Sequence, residues 1–324
     1  MVLKKTIFVL YIFCIFILAS YLILYNHASA KYVSFIPQWR PQAQFAGYYV
    51  AYKKRFYKKY GIDLKILTGG PESPSSEYLE KGKVDFATMW LSTAIQMRAR
   101  GVRVINIAQM IQRSALMLVA RKKKIKKLED INGQTVGVWG KCFQIPLKAF
   151  FKKYNLRVKL IQMSSINLFL RGGVDITSAM WYNEYHTILM SGIDPEELTT
   201  FFLYKYDLNC PEDGIYTLES TLKRYPDLCR NFVKASIEGW LYAFSHPEEA
   251  IDIVLEFMLK AHVPTANRAH QRWMLDRMKD IILPPYGKLL AKDYYRVASI
   301  LKEQGLINNI PKFKDFYKET YVKK

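Results

Sequence analysis

Four short segments of this chain set aromatic rings beside hydrogen-bonding groups. They are Trp39-Arg40-Pro41-Gln42-Ala43-Gln44-Phe45-Ala46-Gly47-Tyr48, Trp90-Leu91-Ser92-Thr93, Trp139-Gly140-Lys141-Cys142-Phe143 and Met180-Trp181-Tyr182-Asn183-Glu184. Such residues suit recognition of a planar solute: a stacked ring adds about 0.5–1.5 kcal/mol beyond its burial, and amides, hydroxyls and carboxylates select by donor and acceptor pattern. Covalent and metal chemistry find less to work with. Beyond the N-terminal segment the cysteines are Cys142, Cys210 and Cys229, with no C-x-x-C spacing, and the five histidines (His27, His186, His246, His262, His270) form no H-E-x-x-H. No metal and no cofactor is expected. Pairing of Cys210 with Cys229 stays open, because sequence does not show whether their Cα atoms approach.

The elements around these segments alternate. Val33–Ile36, Ile62–Leu67, Val84–Ala87, Val102–Ile107, Ala115–Ala120, Thr135–Trp139, Val158–Met163 and Val174–Met180 read as strands. Gly47–Tyr60, Ser92–Arg100 and Ile145–Tyr154 read as helices between them. That alternation predicts an α/β fold with largely parallel buried sheets flanked by helices. Each aromatic segment follows a strand, at the carboxyl edge where open α/β sheets bind ligands. From about Pro226 the pattern turns helical, and Cys229, Phe232, Val233, Ile237, Trp240, Leu241 and Phe244 form one apolar stripe. Leu128–Val138 reads as a short helix, a glycine turn and a strand opening a second lobe, and Ile215-Tyr216-Thr217 as a strand carrying the chain back. The expected division is residues 31–118 plus 217–324 in one lobe and 119–216 in the other, with two crossings.

Composition narrows the function classes. Of 324 residues, half are apolar and 23% charged, which excludes a disordered chain and a multi-span membrane protein. The net charge of +20 is spread among Tyr and Phe, and its densest run, Arg121–Lys127, has no accompanying nucleic-acid motif. A solvated basic surface is expected, and no nucleic acid. Lys4 and Lys5, the apolar run Ile7–Tyr25 and Ala28-Ser29-Ala30 are the parts of a secretory signal. The run is also nearly long enough to serve uncleaved as an anchor. Either way residues 1–30 export the remainder to a periplasmic or extracytoplasmic location. Phe13 before Cys14 excludes a lipid-attachment site.

The opening motif through Ala51, then Phe56-Tyr57-Lys58-Lys59-Tyr60-Gly61-Ile62-Asp63-Leu64, Gly69-Gly70-Pro71 and Gly82-Lys83-Val84-Asp85-Phe86, resembles the superfamily of thiamine-pyrimidine-precursor synthases and periplasmic solute-binding proteins. The similarity runs from about Tyr32 to about Met258 and is greatest to binders of hydroxymethylpyrimidine-type precursors, with relatives that take sulfonates or riboflavin. It implies a type II two-lobed periplasmic-binding-protein fold that closes on a small molecule and delivers it to an ABC permease; a monomer is expected. The implied ligand-binding residues are Trp39, Phe45, Tyr48, Trp90, Trp139, Gly140, Lys141, Trp181, Asn183 and Glu184. Trp181-Tyr182-Asn183-Glu184 resembles the Trp-Asn-x-Glu of the pyrimidine binders, with Tyr and Asn exchanged; there the Glu accepts from the aminopyrimidine. Read by itself, Glu184 is equally suited to opening a helix as an N-terminal carboxylate. The synthase branch carries a cofactor-holding lysine and a histidine that donates the pyrimidine. Those positions fall here on Met89 and Thr93, and only Cys210 stands near the synthases' cysteine cluster. The resemblance therefore implies a binder, not an enzyme. A membrane-anchored sensor of the same fold, or a binder of a sulfonate or flavin, is the alternative.

Overall fold

The computed structural model describes residues 31–263 and 267–321. The N-terminal segment 1–30 lies outside the described residues, as do the side chains of Lys141 and Cys142. Among the described residues short apolar runs form ten strands: β1 (Lys31–Ile36), β2 (Ile62–Ile66), β3 (Phe86–Trp90), β4 (Val104–Gln109), β5 (Leu116–Arg121), β6 (Thr135–Val138), β7 (Lys159–Gln162), β8 (Ile176–Met180), β9 (Leu198–Phe202) and β10 (Asp213–Leu218). The longer helices among the described residues are α1 (Ala46–Lys53), α2 (Leu91–Ala99), α3 (Lys141–Lys153), α4 (Glu184–Met190), α5 (Pro226–Ser245), α6 (Pro247–Lys260), α7 (Arg268–Ile281) and α8 (Ala291–Glu303).

The strands form two five-stranded sheets flanked by helices, ordered β2-β1-β3-β10-β4 and β7-β6-β8-β5-β9. Each sheet holds one antiparallel strand, β10 in the first and β5 in the second. These are the strands by which the chain enters each sheet from the other. Fully buried β3 and β4 show why their sequences read as continuous apolar runs rather than alternation. The expected boundaries at 118/119 and 216/217 fall inside β5 and β10; the chain passes between sheets at residues 110–115 and 203–212. Strand β9 was not anticipated, because its Thr-Thr pair and half-exposed edge position blur the apolar run.

The two passages are tied together by buried hydrogen bonds. Glu212 Oε1 accepts from Ser114 Oγ at 2.9 Å and from Ala115 N at 2.6 Å. Asn209 accepts from Ser114 N at 2.9 Å and donates to Gln112 O at 2.9 Å. Gln109 donates to the carbonyls of Ile111 and Glu212.

The helical C-terminal stretch packs on the first sheet. Phe232 of α5 stacks on Phe86 at 4.1 Å and lies 5.3 Å from Phe35. Helices α1 and α5 meet through glycine. A Cβ on Gly47 would sit 2.3 Å from the Trp240 ring, and one on Gly239 would sit 2.1 Å from the Gly47 carbonyl oxygen. The expected helix Gly47–Tyr60 is interrupted at Arg55, whose φ of 62° begins a separate helical turn. Cys210 and Cys229 are free thiols, each pushed up to about 12 by burial. Among the described residues no helix is long and apolar enough to cross a membrane, and no group of His, Cys, Asp or Glu could hold a metal ion.

Candidate functional site

A cavity of about 420 Å³ opens where the carboxyl ends of β1, β3, β6 and β8 face one another between the two sheets. From the first sheet, the loop after β1 contributes Gln38, Trp39, Gln42 and Gln44, and β3 ends in Trp90. Gln38 N donates to Thr88 Oγ1 at 2.9 Å, which pins this loop to β3. Trp39 is 45% exposed, so the fold leaves much of its indole free.

The second sheet supplies the facing wall: Trp139 and Gly140 after β6, Phe143 on α3, and Met180, Tyr182, Asn183 and Glu184 after β8. Trp139 Nε1 donates to Ser178 O at 3.0 Å, which fixes its ring plane. Trp90 and Phe143 meet across the opening with centroids 5.1 Å apart at 46°. The space is thus aromatic on both sides and polar along one edge.

Glu184 does two jobs at the start of α4. Its Oε2 accepts from Met180 N at 2.8 Å and its Oε1 from Asn183 Nδ2 at 2.8 Å. It is therefore a helix-opening carboxylate that also fronts on the cavity, with burial pushing its pKa up. Below the floor, Gln42 donates to Gln44 Oε1 at 2.6 Å, and Gln44 donates to Asp213 Oδ2 at 2.8 Å. Burial raises Asp213 to about 7 and Glu212 to about 8, the latter also through Asp213 beside it. Asp213 Oδ1 and Glu212 Oε2 are buried without a hydrogen-bond partner. The Tyr182 phenol is raised by burial and then by Glu212, Asp213 and Glu184. Among the described side chains lining the cavity none is a lysine or arginine. The polar edge consists of the amides of Gln38, Gln42, Gln44 and Asn183, the Tyr182 phenol and the Glu184 carboxyl.

Of the residues named from sequence, Trp39, Trp90, Trp139, Gly140, Asn183 and Glu184 come together here. Lys141 begins α3 beside them, but its side chain is outside the described residues. Phe45 and Tyr48 do not line the cavity: both are buried in the core. Tyr48 packs against Phe35 at 4.9 Å and Trp240 at 5.9 Å, because α1 lies flush on α5 across Gly47 and buries Ala46–Ala51 entirely. Trp181 also turns away, to Phe202 at 5.5 Å and the Arg277 guanidinium at 5.0 Å; Tyr182, next in the chain, takes the cavity side. Gln38, Gln42, Gln44, Phe143, Met180 and Tyr182 were missed. The strand alternation carried past Met180 would have pointed to Tyr182. Buried Asp213 has no sequence signal apart from its turn. Met89 is buried within β3, and Thr93 lies on α2 outside the cavity.

Residues 42–250 match the family model described as NMT1/THI5 like. The chain is 25% identical over 239 residues to riboflavin-binding protein RibY of Chloroflexus aurantiacus, covering 69% of this chain and 65% of that protein, just under two thirds of its length. It is 25% identical over 257 residues to a 4-amino-5-hydroxymethyl-2-methylpyrimidine phosphate synthase of Legionella pneumophila, covering 74% of this chain and 78% of that one. Among solved structures, the periplasmic aliphatic sulphonate binding protein SsuA from Escherichia coli aligns with a TM-score of 0.66 at 15% identity, over 86% of this chain and 94% of that one. The shared architecture is the periplasmic-binding-protein fold.

Proposed function

The chain belongs to the NMT1/THI5-like family, and from that premise we propose that it is a non-enzymatic, extracytoplasmic solute-binding protein for an amino-bearing heteroaromatic compound, a thiamine pyrimidine precursor. Its two lobes, one around each sheet, close on the solute and present it to an ABC permease. Trp39, Trp90, Trp139 and Tyr182 sandwich the ring, and Asn183 and Glu184 read its amino edge. The observation that carries this reading is the pairing of aromatic walls from both sheets with a polar edge that includes the Glu184 carboxylate. A buried carboxylate favours a ligand N–H donor and opposes a bare sulfonate or carboxylate.

Synthases stand among the relatives, but the cavity offers no lysine or histidine among its described lining residues. Met89 and Thr93 have neither the amine nor the imidazole that the synthase chemistry consumes. A flavin is the second reading. A groove of about 770 Å³ shares Trp39, Gln42 and Asn183 with the cavity, which leaves room for a polyol tail. Native mass spectrometry of the purified protein tests the proposal through any solute it retains. An unaltered aminopyrimidine supports it, a flavin shifts it to the second reading, and a sulfonate overturns both.

A further inference from the structure

A continuous chain of hydrogen bonds crosses the mouth of the cleft from α7, on the first-sheet side, to α4, on the second. His186 Nδ1 and His270 Nδ1 are 3.2 Å apart, and His270 Nε2 lies 2.9 Å from Asn183 Oδ1. Asn183 Nδ2 donates to Glu184 Oε1, whose other oxygen takes Met180 N, both at 2.8 Å. With both imidazoles neutral, one proton arrangement satisfies every link. The Glu184 carboxylate only accepts, so Asn183 turns its amide NH₂ toward it and its carbonyl toward His270. That carbonyl also only accepts, so His270 carries its hydrogen on Nε2. A neutral His270 then accepts at Nδ1, and His186 must donate from Nδ1. The chain tolerates a proton on His186 Nε2. A proton on His270 Nδ1 makes His186 move its own hydrogen from Nδ1 to Nε2 so that its Nδ1 can accept, and with both rings protonated two N–H groups face each other with no acceptor between them.

Among the described residues the surroundings add no anion that would favour a charged pair. On α4 the facing groups are Tyr185 and Glu184, the latter reached only through Asn183. On α7, the Arg277 guanidinium lies 4.0 Å from the Trp273 ring, and Trp273 stacks on His186 at 4.8 Å. Glu248 and Asp252 of α6 are held by Arg268 and Arg272, and Arg40 in the loop after β1 pairs with Glu72. Trp273 Nε1 donates to Trp181 O at 3.1 Å, a second bond between the same two elements.

We propose that His270 is a positioning residue for Asn183 and Glu184, and that the His186–His270 pair is a proton-sensitive clasp that holds the cleft closed until both rings are protonated. This rests on the cleft being the ligand site, and adds how capture and release respond to pH. Burial, and then His186, lower His270 to about 4, while burial and Arg277 lower His186. An unclasped imidazole titrates near ~6.5. A base whose pKa falls on closure favours the closed form above ~6.5, and that preference is lost as pH drops from there toward 4. Affinity should weaken by up to about tenfold per pH unit in this window, roughly 30-fold between pH 7.5 and 5.0.

The test has a ligand arm and a ligand-free arm. Calorimetric titration with 4-amino-5-hydroxymethyl-2-methylpyrimidine, repeated with riboflavin, should show the roughly 30-fold loss for the wild type. His270→Gln keeps a donor for Asn183 but cannot titrate, so its profile should be clearly shallower than that of the wild type; His270→Ala should bind several-fold more weakly at pH 7.5. Without ligand, ¹⁵N-histidine NMR should find His270 protonated at Nε2 and His186 at Nδ1, with His270 titrating well below 6.5. The small-angle scattering radius should grow on acidification in the wild type and not in His270→Gln. Equal pH slopes in wild type and His270→Gln, or the opposite tautomers, overturn the clasp. If neither probe binds at any pH, the ligand reading fails, and the NMR and scattering results still decide the clasp.

Discussion

Replacing Trp39 by alanine separates a ligand wall from a core residue. A heterocycle covering one indole face removes on the order of 80 Å² of apolar surface from water, worth about 2 kcal/mol at 25 cal/mol per Å². Stacking adds about 0.5–1.5 kcal/mol, so the variant should lose roughly 2.5–3.5 kcal/mol of binding, or about 70- to 400-fold in Kd. The fold should notice little, because the side chain is 45% exposed and makes no hydrogen bond through its ring. A stability loss of about 1 kcal/mol or less corresponds to a Tm shift of roughly 2–4 °C. Calorimetric titration and differential scanning calorimetry on the same preparations read both quantities, and Trp39→Phe should recover part of the affinity. Tyr48→Ala is the contrast: fully buried against Phe35 and Trp240, it should cost about 3–5 kcal/mol of stability. A Trp39→Ala protein that melts ten degrees lower with unchanged affinity would refute the assignment.

Three further outcomes follow from the same geometry. Glu184→Gln should weaken an aminopyrimidine by about 2–4 kcal/mol and also lower Tm by a few degrees, since one amide hydrogen-bond donor must then face Met180 N or Asn183 Nδ2. Gly239→Ala, with its Cβ 2.1 Å from the Gly47 carbonyl, should lower Tm by roughly 6–12 °C by forcing α1 and α5 apart. Glu212 and Asp213, held to about 8 and 7, keep protons in the folded state that the unfolded chain releases near ~4. Their contribution to stability is therefore full below that pH and lost as pH rises through 7 to 8. Melting curves at pH 5, 6.5 and 8.5 should show Glu212→Gln gaining on the wild type as pH rises; a constant difference would count against the buried pair.

The strands were readable because short apolar runs bounded by Gly, Asn and Lys suit buried sheet positions, and nine of the ten overlap expected runs such as Val33–Ile36, Thr135–Trp139 and Ile215–Thr217. The stripe from Cys229 to Trp240 likewise announced α5. What sequence could not convey was depth. Tyr48 and Trp181 have the same chemistry as residues that line the cavity, and only the Gly47–Trp240 contact and the docking of α7 decide that they face elsewhere. Gln44, Asp213 and Glu212 escaped notice for the related reason that a buried amide or acid looks like a surface one until its partners, distant in sequence, are in place. The His270–Asn183 link joins residues 87 positions apart and leaves no local pattern.

The most direct test of the central claim is calorimetric titration of the wild-type protein with two probes, 4-amino-5-hydroxymethyl-2-methylpyrimidine and a short alkanesulfonate, at pH 7.5. An aromatic cavity edged by Asn183 and Glu184 should bind the aminopyrimidine with a Kd of about 1 μM or tighter, near 8 kcal/mol, and the sulfonate not measurably. Tight sulfonate binding with no response to the aminopyrimidine would contradict it.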